Sequence, residues 1–257
     1  MNSFERRNKI VDMVNSQGSV LVLDLSNTFG ISEVTIRADL RMLEEKGLVT
    51  RFHGGAARPG SSLMEAENVE VMLEDRYQLA KDPKKRIADA AASMIRDGMT
   101  VILDSGSTTL LIAEALLKKA NITVITNSLP AAFALSDNKD ITLVVCGGTV
   151  RHKTHSMHGT LAEHSLQGIS ADIMFVGADG MDMNNGITTF NEGYSISAVM
   201  ASAAHKVVAV LDASKFNRRG FNQVLPIKQI NCIITDDSIS AEDKIELEKS
   251  GLEVVLV

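Results

Sequence analysis

The sequence predicts two parts of different class: an N-terminal winged helix-turn-helix and a C-terminal α/β domain on a largely parallel sheet. Three observations predict it. Residues 32–47 hold a capped amphipathic helix, and a short β-prone stretch follows. From residue 100 onward, short apolar runs alternate with helical segments, the pattern of parallel strands covered by helices. Between these parts, Arg58-Pro59-Gly60-Ser61-Ser62 is a linker signal. The expected division is a head over 1–57, a linker over 58–81 and an α/β domain over 82–257.

In the head, Asn2 followed by Glu5 resembles a capping box for a first helix. Phe4, Ile10, Val11 and Val14 give that helix an apolar side, and Gly18 ends it. A second, short helix carries Val22, Leu23 and Leu25, and Phe29-Gly30-Ile31 makes a tight turn. Ser32 then caps a third helix, its hydroxyl able to accept from an orphan N–H of the first turn. Ile36, Leu40 and Leu43 form one buried stripe. Thr35, Arg37, Ala38 and Arg41 fall mainly on the other side. Arg can hold a phosphate or fork onto guanine, and Thr or Ala can touch a thymine methyl. Gly47 stands where a helix stop favours positive φ. The same spacing also fits a plain three-helix bundle with ordinary surface arginines.

Residues 64–80 fit either a helix or an extended connector. Asp82-Pro83 reads as an N-cap with Pro at the first helical position, and Ile87, Ala88, Ala91, Met94 and Ile95 line that helix. Strands are expected at Thr100–Leu103, Ile122–Ile125, Ile141–Val145, Ile173–Val176, Val207–Leu211, Ile230–Ile234 and Leu252–Val257. Intervening helices are expected to run to Lys119 and over Pro130–Leu135, Ala162–Gln167, Tyr194–His205 and Glu242–Lys249. In such sheets ligands bind beyond the carboxyl ends of the strands. Polar, Gly-rich turns fall there: 104–109, 126–128, 147–148, 177–180, and Asp212 with Lys215. The loop Asp104-Ser105-Gly106-Ser107-Thr108-Thr109 offers hydroxyls, backbone N–H groups and a helix N-terminus to an anion. It lacks the Lys and spacing of a nucleotide P-loop, so a small phosphoester fits better than a nucleotide. A capped βα turn without ligand is the plainer alternative.

Composition narrows the class. The 257-residue chain carries a net charge of −6, which argues against a broad nucleic-acid surface. Residues 1–58 are nearly neutral, with eight Lys and Arg against seven Asp and Glu. DNA affinity in such a head must come from paired heads and a few placed contacts, so an oligomer is expected. No apolar run is long enough to span a bilayer, and the N-terminus has no signal-peptide core. Cys146 and Cys232 lie in strand-like segments and read as buried small hydrophobes in a reducing cytoplasm. His152, His155 and His158 are three apart, with no Cys or carboxylate at a matching spacing, so a partly exposed flexible loop is expected there and no metal. Small residues after Phe190-Asn191-Glu192-Gly193-Tyr194 point to close helix packing.

Ser32–Leu40 (SEVTIRADL), Leu43-Glu44-Glu45-Lys46-Gly47 and Arg51-Phe52-His53-Gly54-Gly55-Ala56 resemble the signature of the DeoR family of bacterial transcriptional regulators. The family pattern has a second Arg where this chain has Ala38, which removes one potential phosphate or base contact. The resemblance implies a double-stranded operator DNA partner, met by Ser32, Thr35, Arg37, Ala38, Arg41, Arg51 and His53. It continues through Lys85 with Ile87-Ala88, Leu103–Thr109, Thr126-Asn127-Ser128-Leu129, Gly147-Gly148, His158-Gly159, Gly186-Ile187-Thr188, Asp212–Phe216 and Ile234-Thr235-Asp236. These look like the family's effector domain, which is similar in fold to ribose-phosphate isomerases and binds phosphorylated sugars or polyols. The implied phosphate ligands are Ser105, Gly106, Ser107, Thr108 and Thr109, with Asp104, Asn127, Asp179 and Lys215 for hydroxyls or a further phosphate contact. Asp104 and Asp179 fit equally as turn-capping carboxylates, and Lys215 as a surface lysine. The stretch Gly186–Glu192 looks like the polyol-operon branch of the family. The implied function is a cytoplasmic repressor, a homodimer or homotetramer without cofactor or catalytic residues, relieved by a phosphorylated sugar or polyol. The alternative is a sugar-phosphate isomerase-like enzyme whose head serves oligomerisation.

Overall fold

The structure, a computed structural model, describes residues 3–52, 55–59, 73–78, 80–190, 195–220 and 222–257. Asn2, His53, Gly54, most of the expected linker and Asn191–Tyr194 lie outside the described residues. The chain divides into two compact units, Met1–Val69 and Glu70–Val257.

The first unit runs α1 (Ser3–Gln17), β1 (Ser19–Leu21), α2 (Val22–Phe29), α3 (Glu33–Glu45), β2 (Thr50–Phe52) and β3 (Gly55–Ala57). This is a helix-turn-helix with a β wing, as the spacing predicts. Ile10, Val14, Leu25, Ile36, Leu40 and Leu43 make its core. Gly30 turns α2 into α3 at φ 64°, a left-handed conformation open to glycine at no steric cost. After α3, Gly47 N–H donates to the Glu44 carbonyl at 2.8 Å and Leu48 N–H to Leu43 at 2.9 Å, a paired stop that satisfies two orphan carbonyls. The three strands pair antiparallel in the order β1-β3-β2. Phe4 departs from expectation: it is 69% exposed, because the core face of α1 is set by Ile10 and Val14 further along.

The second unit opens with α4 (Leu73–Gln78), so part of the expected linker is helical, and α5 (Lys81–Ser93). There follow β4 (Thr100–Leu103), α6 (Ser107–Leu116), β5 (Ile122–Thr126), α7 (Leu129–Leu135) and β6 (Ile141–Val145). Next come β7 (Thr149–Arg151), β8 (Ser156–His158), α8 (Thr160–His164), β9 (Ala171–Val176), β10 (Gly180–Asp182) and β11 (Gly186–Thr189). The unit closes with α9 (Ser197–Ser202), β12 (Ala204–Val210), β13 (Asn222–Leu225), β14 (Cys232–Thr235), α10 (Ala241–Lys249) and β15 (Glu253–Leu256).

Seven strands form one parallel sheet in the order β15-β14-β12-β9-β4-β5-β6. Successive residues point to opposite faces, and both faces are buried. Val101, Leu103, Phe175 and Val208 pack with Ile87, Ile112 and Leu116 on one side. Ile102, Met174, Val176 and Ala209 pack with Ile196, Met200 and Leu247 on the other. Burial on both faces explains why these strands read as continuous apolar runs. Cys146 and Cys232 are buried, unbridged, in the two separate cores. The strand order runs outward from β4 through β5 to β6, and from β9 through β12 and β14 to β15. The order therefore reverses between β4 and β9, where a crevice opens beyond the strand ends.

Further features differ from the sequence expectation. Helix α5 begins at Lys81 with Ala80 as its N-cap, so Asp82 and Pro83 stand inside its first turn, where the missing Pro N–H costs no intrahelical bond. The His152–His158 loop is a hairpin, β7 against β8, with Thr149 opposite His158. Gly148 permits it: at φ 124° a Cβ there would lie 2.4 Å from the His158 carbonyl oxygen. A small antiparallel sheet, β10-β11-β13, also escaped prediction, since strands of three or four residues carry little periodicity. The helix expected over Tyr194–His205 is shorter: α9 ends at Ser202, and Ala204 and His205 already belong to β12. Small residues suit either state, and sheet pairing decides.

Candidate functional site

In the first unit, Ser32 Oγ caps α3 by accepting from the Thr35 N–H at 3.3 Å, and the two hydroxyls are 3.0 Å apart. Arg37, Ala38 and Arg41 are exposed on the side away from Ile36, Leu40 and Leu43. Arg37 is held by Glu33 one turn back, at 2.5 Å. Arg51, at the start of the wing, gives its backbone N–H to Glu44 at 3.0 Å and its guanidinium at 3.4 Å. His53 is outside the described residues.

Sequence reasoning missed two residues of α3. Asp39 is buried and receives Arg6 Nε at 2.6 Å and Arg7 Nε at 3.3 Å, which ties α3 to α1. Val34 stands 74% exposed among the outward cations. Asp39 could have been found by phase, because it falls beside Leu40 and Leu43 on the buried arc.

In the second unit, a cavity lies at the switch point between β4 and β9. Asp104, Ser105, Gly106, Ser107 and Thr108 form one wall, and Asp179 and Lys215 line it too. Helix α6 starts at Ser107, so its first-turn N–H groups, which have no intrahelical acceptor, stand at the cavity wall. Thr109 and Asn127 are brought to the same region but fully buried. The Thr109 hydroxyl donates to the Gly106 carbonyl at 3.1 Å, and Asn127 Nδ2 to Met157 at 3.4 Å. Both shape the loop from behind.

Arg76, Lys84 and Asp212 also line the cavity. The family motif pointed to Lys85, which is exposed, whereas Lys84 is 3% exposed. A signal for Lys84 was present: it sits three and four residues before Ile87 and Ala88, on the apolar stripe of α5. Arg76 carried none, because 64–80 has no clear period.

The charges are coupled. Arg76 Nη1 meets Asp179 Oδ1 at 3.2 Å. Asp179 Oδ2 also accepts from Thr189 Oγ1 at 2.8 Å and the Phe190 N–H at 3.1 Å. Burial alone would raise the Asp179 carboxyl; Arg76 and Lys215, with these hydrogen bonds, hold it below the usual range. Asp104 goes the other way. Burial pushes it up, against hydrogen bonds from Ser197 at 2.5 Å, the Ser105 N–H at 2.7 Å, and Asn127. Lys84 donates to the Arg76 carbonyl at 2.7 Å. Burial pushes its ammonium down to about 8, against the attraction of Asp212. Burial likewise lowers Lys215, against Asp212 and Asp179. Three cations, three carboxylates and a helix N-terminus thus share one crevice, an arrangement suited to a small polar anion. Among the described residues no group of three His, Cys, Asp or Glu side chains could hold a metal ion.

A DNA-reading head joined to an α/β unit with a polyionic crevice defines a ligand-responsive transcriptional regulator. The chain belongs to the DeoR family: residues 6–62 match the DeoR-like helix-turn-helix domain, and residues 80–237 match the DeoR C-terminal sensor domain. It is 38% identical over 254 residues to a candidate aga operon transcriptional repressor of Escherichia coli O157:H7, covering 98% of this chain and 93% of that one. A candidate galactitol utilization operon repressor of Escherichia coli K12 is 63% identical over 100 residues, 39% of this chain and 89% of its own. The fold likeness to ribose 5-phosphate isomerase A of Methanocaldococcus jannaschii is distant: 22% identity over 54% of this chain and 55% of that one, with a TM-score of 0.39. No described helix is long and apolar enough to cross a membrane.

Proposed function

We propose that this protein is a cytoplasmic repressor of a sugar or sugar-alcohol operon, released from its operator when a phosphorylated sugar or polyol binds the second unit. One observation carries the proposal: the N-terminus of α6 and the cations Arg76, Lys84 and Lys215 line one crevice in a chain that also carries a DNA-reading head. The phosphate would lie on Ser105–Thr108, with Lys84 and Lys215 offsetting its charge and Asp179 and Asp212 accepting from hydroxyls. The aga and galactitol operons named for the relatives favour a hexitol or ketohexose phosphate. The near-neutral head favours a homodimer or homotetramer on a repeated operator, through Ser32, Thr35, Arg37, Ala38, Arg41, Arg51 and His53. Induction requires that the ligand prefer the DNA-incompetent arrangement, since equal affinity for both shifts nothing.

The chain acts without catalysis. Asp104 is engaged by Ser197 and the Ser105 N–H, and Asp179 by Arg76, Thr189 and the Phe190 N–H, which leaves neither carboxylate poised as a base. The test is thermal melting of the full chain with a panel of hexitol and ketohexose phosphates and their unphosphorylated parents. One phosphorylated compound should stabilise it, by about 2.7 kcal/mol at a hundredfold excess over Kd, and the same compound should weaken operator binding. Stabilisation by none of them, or turnover in an aldose–ketose phosphate assay, overturns the proposal.

A further inference from the structure

Val34 occupies the centre of the outward face of α3. At about 100° per residue it lies roughly 180° from Leu43 and roughly 160° from Ile36, both fully or nearly buried. Ala38 is then roughly 40° away, Arg41 roughly 20° on the other flank and Arg37 roughly 60° away. Thr35 is turned roughly 100° aside, and its hydroxyl is engaged by Ser32. The side chain most squarely presented by the first turn is therefore an apolar, β-branched one, 74% exposed.

A single exposed valine on a protein surface is ordinary. This one differs in position and neighbours. It is the second residue of the third helix of a helix-turn-helix, and the N-terminal residues of that helix are the ones that meet base edges in the major groove. Ala38 beside it adds a second small apolar surface, so the middle of the face is a shallow apolar patch bordered on one flank by Arg41 and Arg37. The major-groove edge of DNA has one apolar group, the C5-methyl of thymine.

We propose that Val34 reads a thymine in each operator half-site by packing on its C5-methyl, with Ala38 lining the same contact and Arg37 and Arg41 holding the flanking phosphates or guanine. This rests on the operator-binding repressor proposed above. It makes part of the head's sequence preference apolar, and therefore insensitive to salt. It also assigns a gain to Ala38, whose small side chain leaves the methyl room that an arginine there would contest.

The experiment uses the full-length protein. Duplexes are selected from a randomised library by the wild type, and each thymine of the selected site is then replaced in turn by deoxyuridine, which removes only the methyl. One position per half-site should lose affinity on the order of fourfold, the worth of one buried methyl-sized group. Val34→Ser should lose both the preference for thymine there and the response to deoxyuridine, and Val34→Ala should weaken both, with an unchanged slope of affinity against salt. Both variants alter an exposed first-turn position and should melt as the wild type does. If deoxyuridine is harmless at every position, or if both variants keep the wild-type response, the inference is overturned while the repressor proposal stands. A wild type that selects no sequence overturns the repressor proposal and this inference with it.

Discussion

Arg37 in the head and Arg76 in the sensor each pair with a carboxylate, Glu33 at 2.5 Å and Asp179 at 3.2 Å. The shorter contact is the weaker one. Arg37 and Glu33 are 53% and 38% exposed, so their attraction is screened and contributes about 0–1 kcal/mol. The Arg76 and Asp179 side chains are 16% and 10% exposed, where water screens little; Arg76 also acts on Lys84 and Lys215, and Asp179 on Lys215. Distance alone does not rank these pairs; surroundings do. The head can trade Glu33 for a DNA phosphate at small cost. The crevice cannot admit an anion without re-balancing all its charges, and that sensitivity suits a sensor.

The largest effect should come from Asp39, which has a sensor-like environment inside the head. Asp39→Ala strands Arg6 in the core and should destabilise the first unit by about 3 kcal/mol or more, read by chemical denaturation. Loss of less than about 1 kcal/mol would erase the contrast between buried and exposed pairs.

Lys84→Met comes next. It should weaken the stabilising sugar phosphate at least about tenfold, the worth of a hydrogen bond to a charged group. The pH response carries a second signature. Lys84 titrates near 8 in the folded chain against 10.5 ordinarily, so between these values the unfolded chain holds the extra proton. Sensor stability therefore rises with pH from about 8 toward 10.5, while phosphate affinity falls over the same range as the ammonium is lost. Calorimetric titration should find both trends in the wild type and both reduced in Lys84→Met, where Lys215, also lowered by burial, still contributes.

Arg37→Ala should leave stability nearly unchanged and lower operator affinity about tenfold, with the salt slope reduced by about one. An unchanged slope would remove Arg37 from the phosphate contacts. The smallest effect is Arg51→Ala, within about 0.5 kcal/mol in a denaturation midpoint, because its partner Glu44 is 41% exposed.

The same contrast explains what was legible in the sequence. The outward residues of α3 follow from period, and Ser32 and Gly47 from cap chemistry, because these depend on near neighbours in the chain. The seven parallel strands follow from apolar runs buried on both faces. The loop 104–109 was legible because one contiguous stretch makes a helix N-terminus. Arg76 and Lys84, on the consecutive helices α4 and α5, meet Asp179, which follows β9 far along the chain, only through the fold. Asp179 was marked by its Gly-rich turn and Lys84 by its place on an apolar stripe, whereas Arg76 gave no signal. The hairpin 149–158 and the sheet β10-β11-β13 were too short for any period to register.

Within α3 the labour is divided strictly by angle. Ile36, Asp39, Leu40 and Leu43 are buried and hold the helix in the head, and Val34, Arg37, Ala38 and Arg41 are exposed on its other side. In the repressor proposed above, a duplicated gene would therefore change its address on the chromosome by altering outward residues alone, with its folding stability intact. For the engineer, this face is an interchangeable lexicon on a fixed mount, and two such regulators sharing one cell can be kept from answering each other's promoters.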